Sequence, residues 1–490
     1  MRTTTSNLLC TDLANLYTSR RNVPSSRSMR SSRQRTKPRA ASSNTELDDR
    51  LVRGIARLGE LDRRRLDNWL DYVDSHQSEH EDEDGGLRED DEDRPAYSWT
   101  QARLVKSHLR DNRYSNIAAW DHALLPGLYL NASLIPALPF PSPDAKGKGR
   151  TGQAYIASQA PLPHTFPTFF AHLCAQHVRV LVMLTPLEER GAPKADRYWP
   201  SQSGQQTTQP SLSSRLYDAG AHIFHHQAGG GAAAAAAAAK PSMNLGSNGW
   251  SVELLEEREL SSGPPLDPSS STSQHPRALP QGTLLHLRHL RLHIGSHPSP
   301  ADCQSTSSSH TSSSTRPEQN LNSSPHHDLF QLHLSSWADW GADSLETLDI
   351  LLDWFDHLQQ SPSSPPQTQT RTSPSIPPIW IHCSAGVGRS GTVIAAHILR
   401  HLPTSSTTSK LLPASAVPED RDRAYLLADC NLAEGEGEEG DDDLAQCIAV
   451  VAYLRRYRPS MVQTPAQLGM IYEAGASIRE RAKSEGTETA

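Results

Sequence analysis

The stretch Ile379-Trp380-Ile381-His382-Cys383-Ser384-Ala385-Gly386-Val387-Gly388-Arg389-Ser390-Gly391-Thr392 decides how this chain is read. An apolar strand enters it, and a helical pattern from Val393 to Leu399 leaves it. A strand, a glycine-rich loop and a helix in that order aim successive backbone N–H groups and a helix N-terminus at one point, which makes an anion site. Cys383 stands at the base of the loop, in the same positive field. Helix N-termini and nearby cations lower a thiol pKa to about 3.5–7.5, giving thiolate at neutral pH. Arg389, six positions on, offers a planar fork for two phosphate oxygens. The loop therefore presents a nucleophile under a bound tetrahedral dianion. A buried structural cysteine beside a surface arginine is the competing interpretation. It fails because His382, Cys383, Gly386, Arg389 and Ser390 occur together in this local context.

Outward from the loop, the chain alternates dense and sparse segments. It has 490 residues, 47 Lys+Arg and 55 Asp+Glu, for a formal charge of −8. That mild acidity argues against binding nucleic acid through bulk charge. Apolar residues are 36% of the chain, so one sizeable core is diluted by polar segments that cannot bury enough surface to fold. No run of 18 apolar residues is present, so no transmembrane helix is expected, and the start lacks the apolar core of a secretory signal. The six cysteines, at 10, 174, 303, 383, 430 and 447, form no zinc spacing and no disulfide framework. A reducing compartment fits them. The expected location is cytoplasmic, with the nucleus as a second compartment.

Residues 1–47 form a basic Ser/Arg-rich tail expected to be disordered; a transit peptide or nuclear-import patch is the sharper alternative. Leu51, Ile55, Leu58, Leu61, Leu66, Trp69 and Val73 have helical spacing and predict a helix pair over 48–74 that packs on the core. The α/β catalytic domain is expected over 48–480, with low-complexity insertions near 77–94, 201–249, 261–281, 296–327, 361–376 and 403–443. Residues 481–490 are expected to be a tail. The first insertion is acidic and the second contains a Gly-Ala tract, Gly229 to Ala239. Strands are predicted at 155–157, 178–184, 251–260, 283–294 and 329–334, with helices at 163–177, 444–458 and from 465. Leu285, Leu287, Leu290 and Leu292 suggest one buried strand face. The 23 histidines are dispersed without a finger or HExxH spacing, and His225-His226 and His326-His327 fall in insertions, so no metal site and no cofactor are expected.

The signature stretch resembles the active-site loop of the protein tyrosine phosphatases, His-Cys-x-x-Gly-x-x-Arg-Ser/Thr. Other segments are similar to the family's motifs in the family's order: Asn112-Arg113-Tyr114 with Asp121, Tyr129 to Ser133, Tyr155 to Gln159, Val182 to Leu184 with Glu189, Lys194 and Tyr198-Trp199-Pro200, Trp337-Ala338-Asp339 with Gly341, and Arg455-Arg456 to Met461 through Gln467. The resemblance implies a central twisted mixed sheet flanked by helices, and hydrolysis of phosphotyrosine in proteins by a non-receptor, cysteine-based enzyme. It also implies roles. Cys383 attacks phosphorus, while Arg389 and the loop positions Ser384, Ala385, Gly386, Val387 and Gly388 hold the phosphoryl oxygens. Ser390 donates to the departing sulfur, and His382 orients the loop and supports the thiolate. Asp339 protonates the tyrosine oxygen and then takes a proton from water. Gln463, with Gln467, positions that water. Glu189, Lys194 and Trp337 brace Arg389 and the acid loop. Tyr114 sets pocket depth, and Asp121 binds substrate backbone.

The chain departs from the family at Ala338, where proline is usual. Proline stiffens a hinge by fixing φ, so alanine predicts a more mobile acid loop and slower turnover. A catalytically weak or dead phosphotyrosine-binding module and a dual-specificity phosphatase are the alternatives. Intact Cys383, Arg389, Asp339 and Gln463 weigh against the first, and Tyr114 against the second. A phosphorylated MAP kinase is a plausible substrate class by analogy alone, and the enzyme is expected to be a monomer.

Overall fold

The computed structural model describes residues 42–77, 108–138, 152–201, 241–245, 249–265, 276–294, 326–360, 376–402 and 441–488. The acidic run, the Gly-Ala tract, His225-His226, Cys10, Cys303 and Cys430 lie outside these residues. Among the described residues, no helix is long and apolar enough to cross a membrane.

Among the described residues the strands are β1 (Ala132–Ile135), β2 (Tyr155–Ser158), β3 (Val180–Met183), β4 (Glu188–Glu189), β5 (Ala192–Pro193), β6 (Ser242–Asn244), β7 (Ser251–Leu260), β8 (Leu285–His293), β9 (His326–Leu334) and β10 (Ile379–His382). The helices described are α1 (Ser42–Gln77), α2 (Phe166–Ala175), α3 (Leu345–Gln360), α4 (Gly388–Arg400), α5 (Asp441–Tyr457) and α6 (Pro465–Glu488). The main sheet runs β1-β2-β10-β3-β9-β8-β7-β6, and β4 pairs with β5 separately. β10 is parallel to both β2 and β3, β3 is parallel to β9, and the outer pairs are antiparallel. The sheet is mixed, as expected.

Period-two alternation between two covered faces explains why β3 is apolar throughout and β10 is apolar up to His382. Val180, Val182, Ile379 and Ile381 join one core cluster, with apolar side chains of α3, α4, α5 and α6. Leu181, Met183 and Trp380 point the other way, into a cluster with Phe169 and Phe170 of α2. A strand covered on both faces has no polar side to show. β8 corrects the expectation of a single buried face. Leu285 and Leu287 enter the first cluster, whereas Leu290 and Leu292, of opposite parity, enter the second.

The expected helix pair is one continuous helix, α1, beginning at Ser42 inside the expected tail. Leu51, Leu58 and Leu61 enter the main core, and Trp69 and Tyr72 pack with Trp120 and Ala123. No glycine, proline or turn residue interrupts the stripe strongly enough to break it; Gly54 instead fits against Leu468 and Ile448. At the other end, α6 runs on to Glu488, through most of the expected tail. Several insertion boundaries also contract. β6 lies inside 201–249, Ser262 bridges Ala278 inside 261–281, and α5 starts at Asp441. His326 and His327 belong to β9, where buried His327 reaches the Val178 carbonyl at 2.7 Å. α3 was not anticipated, although Leu348, Leu351, Leu352 and Phe355 carry its buried stripe.

Candidate active site

The parallel strand β10 ends at His382 and α4 begins at Gly388, so residues 383–387 form the loop between the C-terminal end of an interior strand and a helix N-terminus. Gly386 makes the turn. Its φ is +73°, and a Cβ there would lie 1.9 Å from the Ser158 carbonyl oxygen. Only glycine fits both the conformation and the approach to β2. Behind the loop lies Arg458, fully buried. Its guanidinium donates to the carbonyls of Gly386 (2.8 Å) and Ala385 (3.0 Å), and to Asn131 Oδ1 (3.0 Å) and Ser133 Oγ (3.3 Å). With the carbonyls tied back, the loop N–H groups are free to face forward.

Cys383 is 3% exposed, and its sulfur accepts the Gly386 N–H at 3.2 Å. Burial by itself raises the thiol pKa. The Arg389 charge, with the Gly386 N–H and the neighbouring Ser390, outweighs burial and brings it below the ordinary cysteine value. The other described thiols behave oppositely: burial pushes Cys174 up to about 11 and Cys447 up to about 12.

His382 is held neutral. Burial, chiefly, lowers its pKa to about 4. Tyr198 Oη lies 2.7 Å from His382 Nε2 and accepts from Gln331 Nε2 at 2.7 Å, so the phenol donates to the imidazole. The remaining proton is then on Nδ1, which donates to the Cys383 carbonyl at 3.0 Å. His382 therefore meets the loop as a neutral imidazole, holding the Cys383 carbonyl through Nδ1.

The acid loop closes over Arg389. Arg389 Nη1 donates to the Trp337 carbonyl at 2.8 Å, and Nη2 donates to Asp339 Oδ1 at 3.0 Å. Lys194 Nζ holds Asp339 Oδ2 at 2.7 Å, and this hydrogen bond raises the lysine pKa. Glu189 accepts the Asp339 backbone N–H at 3.1 and 3.3 Å. Among the contacts described, Glu189 and Lys194 thus grip Asp339, and Arg389 is met by the acid loop itself. Trp337 is buried and donates from Nε1 to the Gly341 carbonyl at 3.0 Å, while Trp340 sits at φ +64°. Ala338 is exposed between them.

Two glutamines meet the loop from the start of α6. A Cβ at Gly388 would stand 2.9 Å from Gln463 Oε1 and 3.0 Å from Gln467 Nε2. Gln467 is buried and accepts the Gln463 N–H through Oε1 at 2.8 Å, so it holds Gln463 in place. Arg455 fixes this turn from beneath, donating to the carbonyls of Met461 (2.8 Å) and Val462 (2.7 Å). Asp62 of α1 pairs with Arg455 at 3.1 Å and accepts the Ser460 N–H at 3.2 Å.

Tyr114 reaches the loop from the opposite side. Its hydroxyl lies 2.7 Å from Ser384 Oγ, and Ser384 Oγ donates to the Lys194 carbonyl at 2.6 Å, so Tyr114 is the donor to Ser384. Ser384 therefore spends its side chain on this wall and keeps its backbone for an anion. Arg113 anchors the segment through the Ala160 and Pro161 carbonyls and Asp196. Asp121 begins a 3-10 turn, Asp121–Ala123, whose neighbours Trp120 and His122 bond the carbonyls of Arg455 and Arg456. Arg458, Asp62 and Gln331, which the motifs above do not name, act through tertiary contacts with partners far along the chain.

Comparison with known proteins places this geometry among relatives. A family model described as protein-tyrosine phosphatase matches residues 108–218 and 288–415. Tyrosine-protein phosphatase Lar-like of Caenorhabditis elegans is 36% identical over 114 residues, 21% of this chain and 5% of that protein. Tyrosine-protein phosphatase 99A of Drosophila melanogaster is 39% identical over 101 residues, 19% of this chain and 7% of that protein. The matched stretches thus span less than a tenth of these relatives. A solved protein tyrosine phosphatase of Trypanosoma brucei aligns with 89% of this chain and 94% of its own, at 19% identity and a TM-score of 0.44.

Proposed function

This chain carries a domain of the protein-tyrosine phosphatase family, and on that premise we propose that it hydrolyses phosphotyrosine in proteins through a cysteinyl-phosphate on Cys383. One observation carries the reading: a thiol with a lowered pKa lies beneath a backbone N–H, with Arg389 and Asp339 across the same loop. The substrate dianion takes the place of Asp339 on the Arg389 fork and is held by the loop N–H groups. Cys383 Sγ attacks phosphorus, and the bond from phosphorus to the tyrosine oxygen breaks as Asp339 gives that oxygen a proton. A phenol has a pKa of about 10, so protonation matters. Water oriented by Gln463 then attacks phosphorus and passes a proton to Asp339. The sulfur–phosphorus bond breaks, with Ser390 donating to the leaving thiolate, and inorganic phosphate departs.

Tyr114, pinned by Ser384, is the wall that favours the long phenyl phosphate over phosphoserine, and Asp121 is the substrate-backbone acceptor in the same proposal. A phosphorylated MAP kinase remains the proposed substrate class, and signalling in cytoplasm or nucleus the proposed setting. The test is hydrolysis of a phosphotyrosine peptide and its phosphoserine counterpart, under reducing, metal-free conditions. Wild type should release phosphate from phosphotyrosine only, and Cys383→Ser from neither. Phosphopeptide capture without turnover by wild type would replace the enzyme with a binding module.

A further inference from the structure

Away from the loop, three ligating side chains converge where α4 ends. His397 lies in its last turn, His401 caps it, and Asp356 faces both from α3. Asp356 Oδ1 is 3.2 Å from His397 Nε2 and 3.0 Å from His401 Nε2, and the two nitrogens are 3.2 Å apart. The three atoms form a nearly equilateral triangle. Protons alone satisfy it poorly. If each imidazole donates from Nε2 to the carboxylate, two N–H groups meet nose to nose at 3.2 Å. A cation takes all three lone pairs at once. Zinc-class ions bind nitrogen and oxygen at about 2.0–2.2 Å, so a tetrahedral set has edges of about 3.3–3.6 Å. The triangle needs to open by only a few tenths of an ångström.

The surroundings suit a ligand set. Tyr155 Oη lies 2.8 Å from His397 Nδ1, where it can accept the Nδ1 proton and leave Nε2 bare. The second oxygen of Asp356 lies 3.6 Å from Arg400 Nε, which leaves Oδ1 as a single donor. The His401 side chain is 43% exposed, so the fourth position opens to water. Arg400 also pairs with Asp353, which limits its repulsion of a cation.

We propose that Asp356, His397 and His401 form a binding site for a divalent transition-metal ion of the zinc class, with water as fourth ligand, fastening α3 to α4. The site lies eight residues, or about 12 Å of helix, beyond Arg389, so it is separate from the catalytic loop. Local spacing carries no metal signature here because the third ligand comes from 41 residues upstream on another helix.

The test uses the full chain carrying Cys383→Ser, which removes the competing thiolate, after treatment with chelator. Co²⁺ is titrated by visible absorption and Zn²⁺ by equilibrium dialysis, each metal alone. One ion should bind with micromolar affinity or better and give the intense cobalt bands of four-coordination. Zn²⁺ in roughly hundredfold excess over its Kd should raise the melting temperature by several degrees. His401→Ala, which removes a half-exposed ring, and Asp356→Asn should each weaken binding at least tenfold and abolish the melting shift. Binding within twofold of the parent in both variants would overturn the proposal, because the ion would then sit on other histidines. So would an absence of binding at 100 μM metal, with folding of every variant checked by circular dichroism.

Discussion

Tyr198→Phe removes one oxygen from the relay beneath the catalytic loop, and its cost follows from the partners left behind. In the native protein the phenol donates to His382 Nε2 and accepts from Gln331 Nε2, all three groups being buried. Phenylalanine keeps the ring contacts with Phe169 and Trp199. It strands one buried acceptor and one buried donor, each worth about 1–3 kcal/mol. The expected loss in urea unfolding at pH 7.5 is about 2–6 kcal/mol. The pH dependence has a definite sign. His382 has a folded pKa of about 4, against 6.5 unfolded. Its contribution is therefore fully present above pH 6.5 and is lost as pH falls toward 4, because the unfolded chain takes up a proton that the fold refuses. That gap corresponds to about 3 kcal/mol. Without the phenol donor, protonating Nε2 in the fold costs less, so the variant's deficit should shrink between pH 7 and pH 5. The Gln331 share does not titrate and should persist. Urea melts at four pH values check this; a deficit under about 0.5 kcal/mol, or two parallel stability curves, would refute the relay.

Other substitutions probe the remaining parts. Gly386→Ala drives a Cβ into the Ser158 carbonyl, so phosphotyrosine turnover should fall at least 100-fold; a loss under tenfold would mean the loop tolerates another path. Arg458→Met strands the loop carbonyls and should cost about 3–5 kcal/mol in urea unfolding, a reading contradicted by a loss under 1 kcal/mol. Asp339→Asn should lower kcat on phosphotyrosine about 10²-fold or more, with a much smaller loss on an aryl phosphate whose phenol is strongly acidic. Equal losses on both substrates would remove Asp339 from the proton transfer. Ala338→Pro restricts the open loop and should raise kcat severalfold, whereas a fall would show that the backbone at 338 does not suit proline.

The 383–387 loop was legible because a strand, a glycine-rich turn and a helix start form one local unit, and Gly386 and Arg389 occupy positions that the unit itself demands. The strands were legible for a related reason: period-two patterning survives in β7 and in the apolar runs of β3 and β10. β8 misled because its leucines change parity midway, and a strand buried on both faces looks half-buried in each half. The continuous helix α1 was read as a pair because its stripe changes partner, from the main core at Leu61 to the aromatic cluster at Trp69. Supporting residues were hidden for a different reason. Arg458 and Asp62 are ordinary charges in sequence, and only tertiary contact with the loop carbonyls and Arg455 gives them meaning. The neutrality of His382 likewise depends on burial that no local pattern records.

The most direct test is to quench wild type with acid during turnover of a phosphotyrosine peptide, digest it, and weigh the peptide that contains Cys383. The account predicts that this peptide gains one phosphoryl group, that Gln463→Ala increases the trapped fraction, and that Cys383→Ser traps none. Phosphate release by wild type with no phosphoryl group on Cys383 at any quench time, in the Gln463→Ala variant as well, would contradict it.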